Sequence, residues 1–148
     1  MLKIYFDNCC YNRPFDEQTQ SKILQETNAI MDIINYAENG NAKIYTSSLI
    51  KLEMQKNSNK IKKEQVILFY NLIKNKVTIS FKKSVNDKAK ELLTKYNIKY
   101  KDALHIAYCE SIKIDYLLST DKLFINAANR ANLSLKVMNP SDFIKEVY

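Results

Sequence analysis

The period of apolar and polar positions changes repeatedly along the chain and cuts it into short alternating segments. Lys3–Phe6 predicts a strand. From about Glu17 to Asn39, Ile23, Leu24, Thr27, Ile30, Met31, Ile34 and Ala37 recur at helical spacing, and Gly40 follows as a stop. Lys43–Thr46 predicts a second strand, and Ser47 or Ser48 offers an N-cap for a helix to about Lys56. Asn57-Ser58-Asn59-Lys60 breaks the pattern before a helix over 62–75. Val77–Phe81 reads as a third strand. Ser84 opens an S-x-x-D start to a helix through Tyr96 that buries Val85, Ala89, Leu92 and Leu93. A helix over Tyr100–Ile112, a buried strand Tyr116–Ser119 and a helix from about Asp121 to Asn129 come next. A last strand, Leu135–Val137, and a terminal helix with Pro140 at its first position complete the chain.

Strands alternating with helices predict a single α/β domain over residues 1–148, built on a parallel sheet with right-handed crossovers. No repeat, linker or low-complexity tract interrupts it. In open sheets of this kind, ligands bind beyond the carboxyl ends of the strands, where strand order reverses. Asp7 follows the first strand directly, and Asp121 follows Y-L-L-S by two residues. Two strands therefore deliver carboxylates to one edge of the sheet.

Composition narrows the class. No apolar run approaches the ~20 residues of a membrane span, and the first stretch carries Lys3 and Asp7 and has no signal-peptide character. A cytoplasmic protein with no membrane partner is expected. Cys9, Cys10 and Cys109 form no C-x-x-C pair, and His105 is the single histidine, too few soft ligands for a tetrahedral zinc site. Reduced, unpaired thiols are the simpler reading. The formal net charge of +7 suits a polyanionic partner such as nucleic acid. Arg13 and Arg130 are the only arginines, however, and a lysine-rich solvated surface would carry the same charge.

Two further acids join the candidates. Glu53 lies among Leu49, Ile50, Leu52 and Met54, and Asp102 opens D-A-L-H-I-A-Y-C. A carboxylate carried toward a core is costly unless paired or metal-bound. Each alone reads equally well as an exposed helix acid, with Asp102 capping its helix; as a set of four they point to chemistry. Mg²⁺ and Mn²⁺ take hard oxygen ligands, and carboxylates holding such ions serve phosphoryl chemistry. Without the ion the cluster repels itself, so at least one carboxyl is expected to titrate high. Rival phosphoryl-transfer folds lack their residues here. A haloacid-dehalogenase-type phosphatase wants an aspartate at the position of Cys9, a receiver domain wants a lysine after its last strand, and Gly40, the only glycine, excludes glycine-rich phosphate loops.

D-N-C-C-Y-N-R-P-F-D, S-S-L-I-K-L-E and K-D-A-L-H-I-A-Y-C-E-S-I-K-I-D-Y-L-L-S-T-D-K-L-F together resemble the PIN-domain family, small nucleases that include VapC-type toxins of toxin–antitoxin modules. The resemblance runs through the closing V-M-N-P-S-D-F and is strongest to a branch carrying N-R-P-F-D after the first aspartate. It implies a three-layer α/β/α domain with a five-stranded parallel sheet in the order 3-2-1-4-5. It implies that Asp7, Glu53, Asp102 and Asp121 are the metal-binding catalytic acids, that Mg²⁺ or Mn²⁺ is the cofactor, and that RNA is cut endonucleolytically. Partners implied are RNA, an antitoxin protein and a second copy of the chain. Asn8 and Thr120 take positions near the family's site, and Arg13 lies in the loop after Asp7, within reach of substrate phosphate or, alternatively, paired with Asp16. A catalytically inert PIN-like RNA-binding or scaffold module is the competing function; its usual mark is loss of the acids.

One departure concerns the turn after the Asp102 helix, where the family often has glycine and this chain reads S-I-K-I-D. His105, one helical turn past Asp102, is expected as a packing or wall residue rather than a general base. Most of the ten tyrosines, including Tyr5, Tyr70 and Tyr116, are expected in the core. Lys60, Lys62 and Lys63 read as a solvated turn.

Overall fold

The computed structural model describes residues 1–147. Five strands, β1 (Leu2–Phe6), β2 (Ala42–Thr46), β3 (Val77–Thr78), β4 (Tyr116–Leu118) and β5 (Lys136–Met138), form one sheet in the order β3-β2-β1-β4-β5. Every pairing is parallel, with Ile4 opposite both Ile44 and Tyr116. Ile4, Tyr5 and Phe6 are all buried. Successive strand side chains point to opposite faces, so β1 is covered on both sides and the architecture is three-layered.

The helices are α1 (Asn8–Asn12), α2 (Ser21–Glu38), α3 (Ser48–Gln55), α4 (Lys60–Leu72), α5 (Lys83–Tyr96), α6 (Tyr100–Ser111), α7 (Lys122–Asn129) and α8 (Pro140–Val147). Among them α2 packs on α8 and α5 on α6. Tyr116 meets Phe143 of α8 edge to face, with ring centroids 4.9 Å apart. The expected sheet order and alternation hold, and Tyr5, Tyr70 and Tyr116 are core residues.

Local differences have local causes. The loop after Asp7 is not irregular: α1 runs into a 3-10 turn over Arg13–Phe15, with Pro14 early in the turn where its missing N–H costs nothing. Helix α2 therefore starts four residues later than its apolar period suggests. Strand β3 keeps only Val77–Thr78, although Ile79 N–H still donates to Thr46 O at 2.8 Å, and Phe81 is exposed. Helix α5 begins at Lys83 with Lys82 as N-cap, so Ser84 lies inside the helix and caps nothing. Ser47 does stand at the N-cap of α3, but its hydroxyl makes no capping bond and turns to Tyr5 instead. Lys60, Lys62 and Lys63 form the first turn of α4 rather than a turn between helices.

The missing glycine after α6 is replaced by Lys113, which adopts φ 58°. An L-residue in this left-handed region costs about 1–2 kcal/mol, and the fold carries that cost to turn sharply into β4. Among the described residues no helix is long and apolar enough to cross a membrane.

Candidate metal centre

Strand order reverses at β1, whose neighbours are β2 and β4, and the crevice beyond that point is where the acids meet. Asp7 leaves the end of β1, and its N–H donates to Leu118 O of β4 at 2.9 Å. Its carboxylate accepts from Asn8 N at 2.8 Å and from the Ser119 hydroxyl at 2.9 Å. Asp121 caps α7, with Oδ1 accepting from Leu123 N at 3.0 Å and Phe124 N at 3.3 Å. Ser119 links the two: its Oγ also accepts from Asp121 N at 3.0 Å. Glu53 comes from α3, and Asp102 from the first turn of α6, where its side chain does not cap the helix.

All four acids line one cleft of about 410 Å³, together with Asn8, Cys9, Asn12, Lys56, Asn57, Lys62 and Lys101. A cleft of similar size, about 420 Å³, opens at the other end of the sheet near Met1, Gly40 and Lys74, and carries no convergent acids. Cys9, Cys10 and Cys109 are all free thiols. Cys9 Sγ lies 3.4 Å from Asp7 Oδ2 and 3.2 Å from Thr120 N, linking the residues that follow β1 and β4.

The electrostatics divide the acids. Burial pushes the Glu53 carboxyl up, but His105 and Lys101 outweigh it and hold the group below the ordinary glutamate range. Lys101 Nζ is 3.1 Å from Glu53 Oε2, and His105 Nε2 is 2.5 Å from Oε1 and 3.7 Å from Asp7 Oδ1. Asp102 moves the other way. Burial and then the charge of Asp7 raise it, with a further contribution from Asp121. It is the carboxyl expected to titrate high in a self-repelling cluster.

The donor set fits a divalent cation. Asp7, Glu53 and His105 bring ligand atoms within 4.8 Å of one another, and Asp102 and Asp121 face the same cleft. Oxygen-rich carboxylate sites favour Mg²⁺ or Mn²⁺ over softer ions, and a cation here would relieve the repulsion that raises Asp102. Sequence reasoning missed Lys101 and His105 as partners of Glu53. The signal was present in K-D-A-L-H, whose ends lie one helical turn apart around Asp102.

Two of the three expected substrate contacts lie elsewhere. Asn8 lines the cleft, but Arg13 and Thr120 do not. The Arg13 guanidinium donates to Asp16 Oδ2 at 2.9 Å and faces Glu26, and Thr120 is buried. The N-R-P-F-D segment is thus an anchoring device, in which Asp16 also pairs with Lys62 of α4 and Gln18 closes the turn on Arg13 O and Asp16 O.

The model of the PIN domain matches residues 16–130, well over half of the chain. The chain belongs to the PIN-domain family. The matched span includes Glu53, Asp102 and Asp121, and Asp7 lies nine residues before it begins. Three solved structures share the fold. VapBC2 from Rickettsia felis, bound to a DNA fragment from its promoter, is similar with a TM-score of 0.64 and 14% identity, over 93% of this chain and 98% of that one. A toxin–antitoxin complex from Klebsiella pneumoniae is similar with a TM-score of 0.60 and 17% identity, over 93% and 97%. FitAcB from Neisseria gonorrhoeae is similar with a TM-score of 0.56 and 15% identity, over 93% and 97%. No curated protein matches in sequence. As a PIN domain the chain has the fold of a family of nucleases.

Proposed function

We propose that this PIN domain is a metal-dependent endoribonuclease, the toxin of a toxin–antitoxin module acting in the cytoplasm. The observation that carries the reading is the convergence of Asp7, Glu53, Asp102 and Asp121 on one cleft at the switch point of the sheet. A catalytically inert module has no use for four acids in one cleft, where burial and the charges of Asp7 and Asp121 make Asp102 harder to ionise. The toxin assignment draws on the similar structure from Klebsiella pneumoniae, a toxin–antitoxin complex.

The four carboxylates would hold the ion, with Glu53 kept ionised by Lys101 and His105. Bound there, Mg²⁺ or Mn²⁺ supplies Lewis acidity toward the scissile phosphate and lowers the pKa of nearby water. The chain's own residues do the rest. Lys56 sets positive charge at the rim for the RNA backbone, and Asn8, Asn12 and Asn57 place amides along the cleft. Hydrolysis adds the water oxygen to phosphorus, breaks the P–O ester bond and leaves the displaced oxygen protonated.

The test is cleavage of a cellular RNA pool by protein purified from a background lacking other nucleases. Wild type cuts with Mg²⁺ or Mn²⁺, stops in excess EDTA and recovers on adding Mn²⁺, whereas Asp7→Asn is inactive. Asparagine keeps an acceptor for Asn8 N, so this variant in EDTA melts no lower than wild type. Undiminished cutting by Asp7→Asn, or indifference to chelator, sinks the assignment.

A further inference from the structure

Behind the cleft, three buried polar side chains make a closed circuit. Ser47 Oγ lies 2.7 Å from Tyr5 OH, Tyr5 OH lies 2.7 Å from His105 Nδ1, and His105 Nε2 lies 2.5 Å from Glu53 Oε1. Ser47 and Glu53 belong to the two ends of α3, so the circuit closes through that helix. Tyr5, Ser47 and His105 are at most 1% exposed, and no water competes for their bonds. The rings of Tyr5 and His105 also meet edge to face, 5.7 Å between centroids.

Each member shares an element with an acid of the cleft. Tyr5 lies in the central strand β1, two residues before the Asp7 that follows it, His105 one turn past Asp102 on α6, and Ser47 heads the helix of Glu53. An ionised carboxylate only accepts, so the hydrogen shared with Glu53 sits on His105 Nε2. In the neutral ring Nδ1 then accepts from the Tyr5 hydroxyl, which accepts in turn from Ser47. Every polar group in the circuit is satisfied in one direction.

We infer that His105 is a positioning residue for the metal centre: backed by Tyr5 and Ser47, it locks the Glu53 carboxylate beside Asp7 and ties together the three elements that carry Asp7, Glu53 and Asp102. This rests on the proposal that the cleft takes a divalent cation. A buried imidazole that only filled space would need neither the carboxylate nor the phenol. Outer-shell partners of this kind typically change metal affinity 10–100-fold when removed.

The experiment is Mn²⁺ titration by calorimetry of the full chain, with thermal melting in EDTA alongside. His105→Leu binds Mn²⁺ about 10–100-fold more weakly, while His105→Gln, which retains an N–H toward Glu53, recovers most of the affinity. Tyr5→Phe, which removes only the hydroxyl, weakens binding by a smaller factor without loss of cooperative melting. Should His105→Leu fail to fold, the Gln and Phe variants carry the test. Wild-type affinity in His105→Leu or Tyr5→Phe overturns the inference, as does a directly bonded ring nitrogen in the EPR spectrum of the Mn²⁺ complex. A wild type that binds Mn²⁺ but cuts no RNA leaves this inference standing and removes the nuclease reading; one that binds no Mn²⁺ removes both.

Discussion

The guanidinium of Arg13 faces Glu26 of α2, with Nε 3.1 Å from Oε1, and the glutamate is 1% exposed. The contact is electrostatic rather than an aligned hydrogen bond, and Glu26 Oε2 is held by Asn139 beside α8. A buried carboxylate thus joins the segment after the first acid, through α2, to the residue that precedes α8. Removing one partner of such a pair strands the other charge, a loss of about 3–5 kcal/mol when both are fully buried. Arg13 keeps 20% of its side chain in solvent, so Glu26→Ala is expected to cost roughly 2–4 kcal/mol in urea unfolding, and Glu26→Gln less. Arg13→Met loses stability but leaves the KM for RNA unchanged; a raised KM at unchanged stability would return Arg13 to the substrate.

Asp102 gives a pH signature. Its pKa in the folded chain is raised, first by burial and then by Asp7, so the penalty on its charged form is fully present above that raised value. The penalty fades as pH falls through it and is gone below the unfolded value of about 3.9. In EDTA at pH 7–8, Asp102→Asn is therefore expected to melt above wild type by roughly 1–4 °C, with the gap closing toward pH 4. A gap that persists at acid pH would assign the gain to packing instead of charge.

Lys113 pays for its left-handed backbone on every molecule that folds. Replacement by glycine removes that strain and adds some chain entropy to the unfolded state, for a net gain of about 0.5–1 kcal/mol. Urea unfolding of Lys113→Gly measures it, and a loss of stability would mean that the lysine side chain contributes more than the backbone costs.

Lys56 lines the cleft and, among the described residues, has no ion-pair partner, whereas Lys62 and Lys101 are committed to Asp16 and Glu53. Lys56→Ala should weaken RNA binding and lower the slope of log K against log salt by about 0.7, the value for one phosphate of a single strand. Binding with an unaltered salt slope would move the phosphate contact elsewhere.

What the linear chain disclosed followed from periodicity and from where strands end. Asp7 and Asp121 were legible because each stands just past a strand, and the sheet order was carried by family resemblance rather than by any pattern of spacing. Glu53 and Asp102 were ambiguous alone, since their neighbours read equally well as a core or as one face of an exposed helix. The circuit of Ser47, Tyr5, His105 and Glu53 was out of reach: its bonds span 42, 100 and 52 residues, and no local rule connects a tyrosine in a strand to a serine before a helix. Arg13 misled because a cation near the first acid invites a phosphate, while the buried acid that claims it lies thirteen positions away within an otherwise apolar helix period. Lys113 shows the converse, a backbone demand met by a residue that no turn rule selects.

The hydrogen bond from Asp7 N–H to Leu118 O belongs to the backbone. The two strands bearing the first and last acids are therefore spaced by a contact that no choice of side chain rewrites. Substitutions in the rim, among Asn12, Lys56, Asn57 and Lys62, leave that spacing of Asp7 and Asp121 untouched. The lining of the cleft can therefore vary in this molecule without moving those two acids, because the two are written in different parts of the polymer.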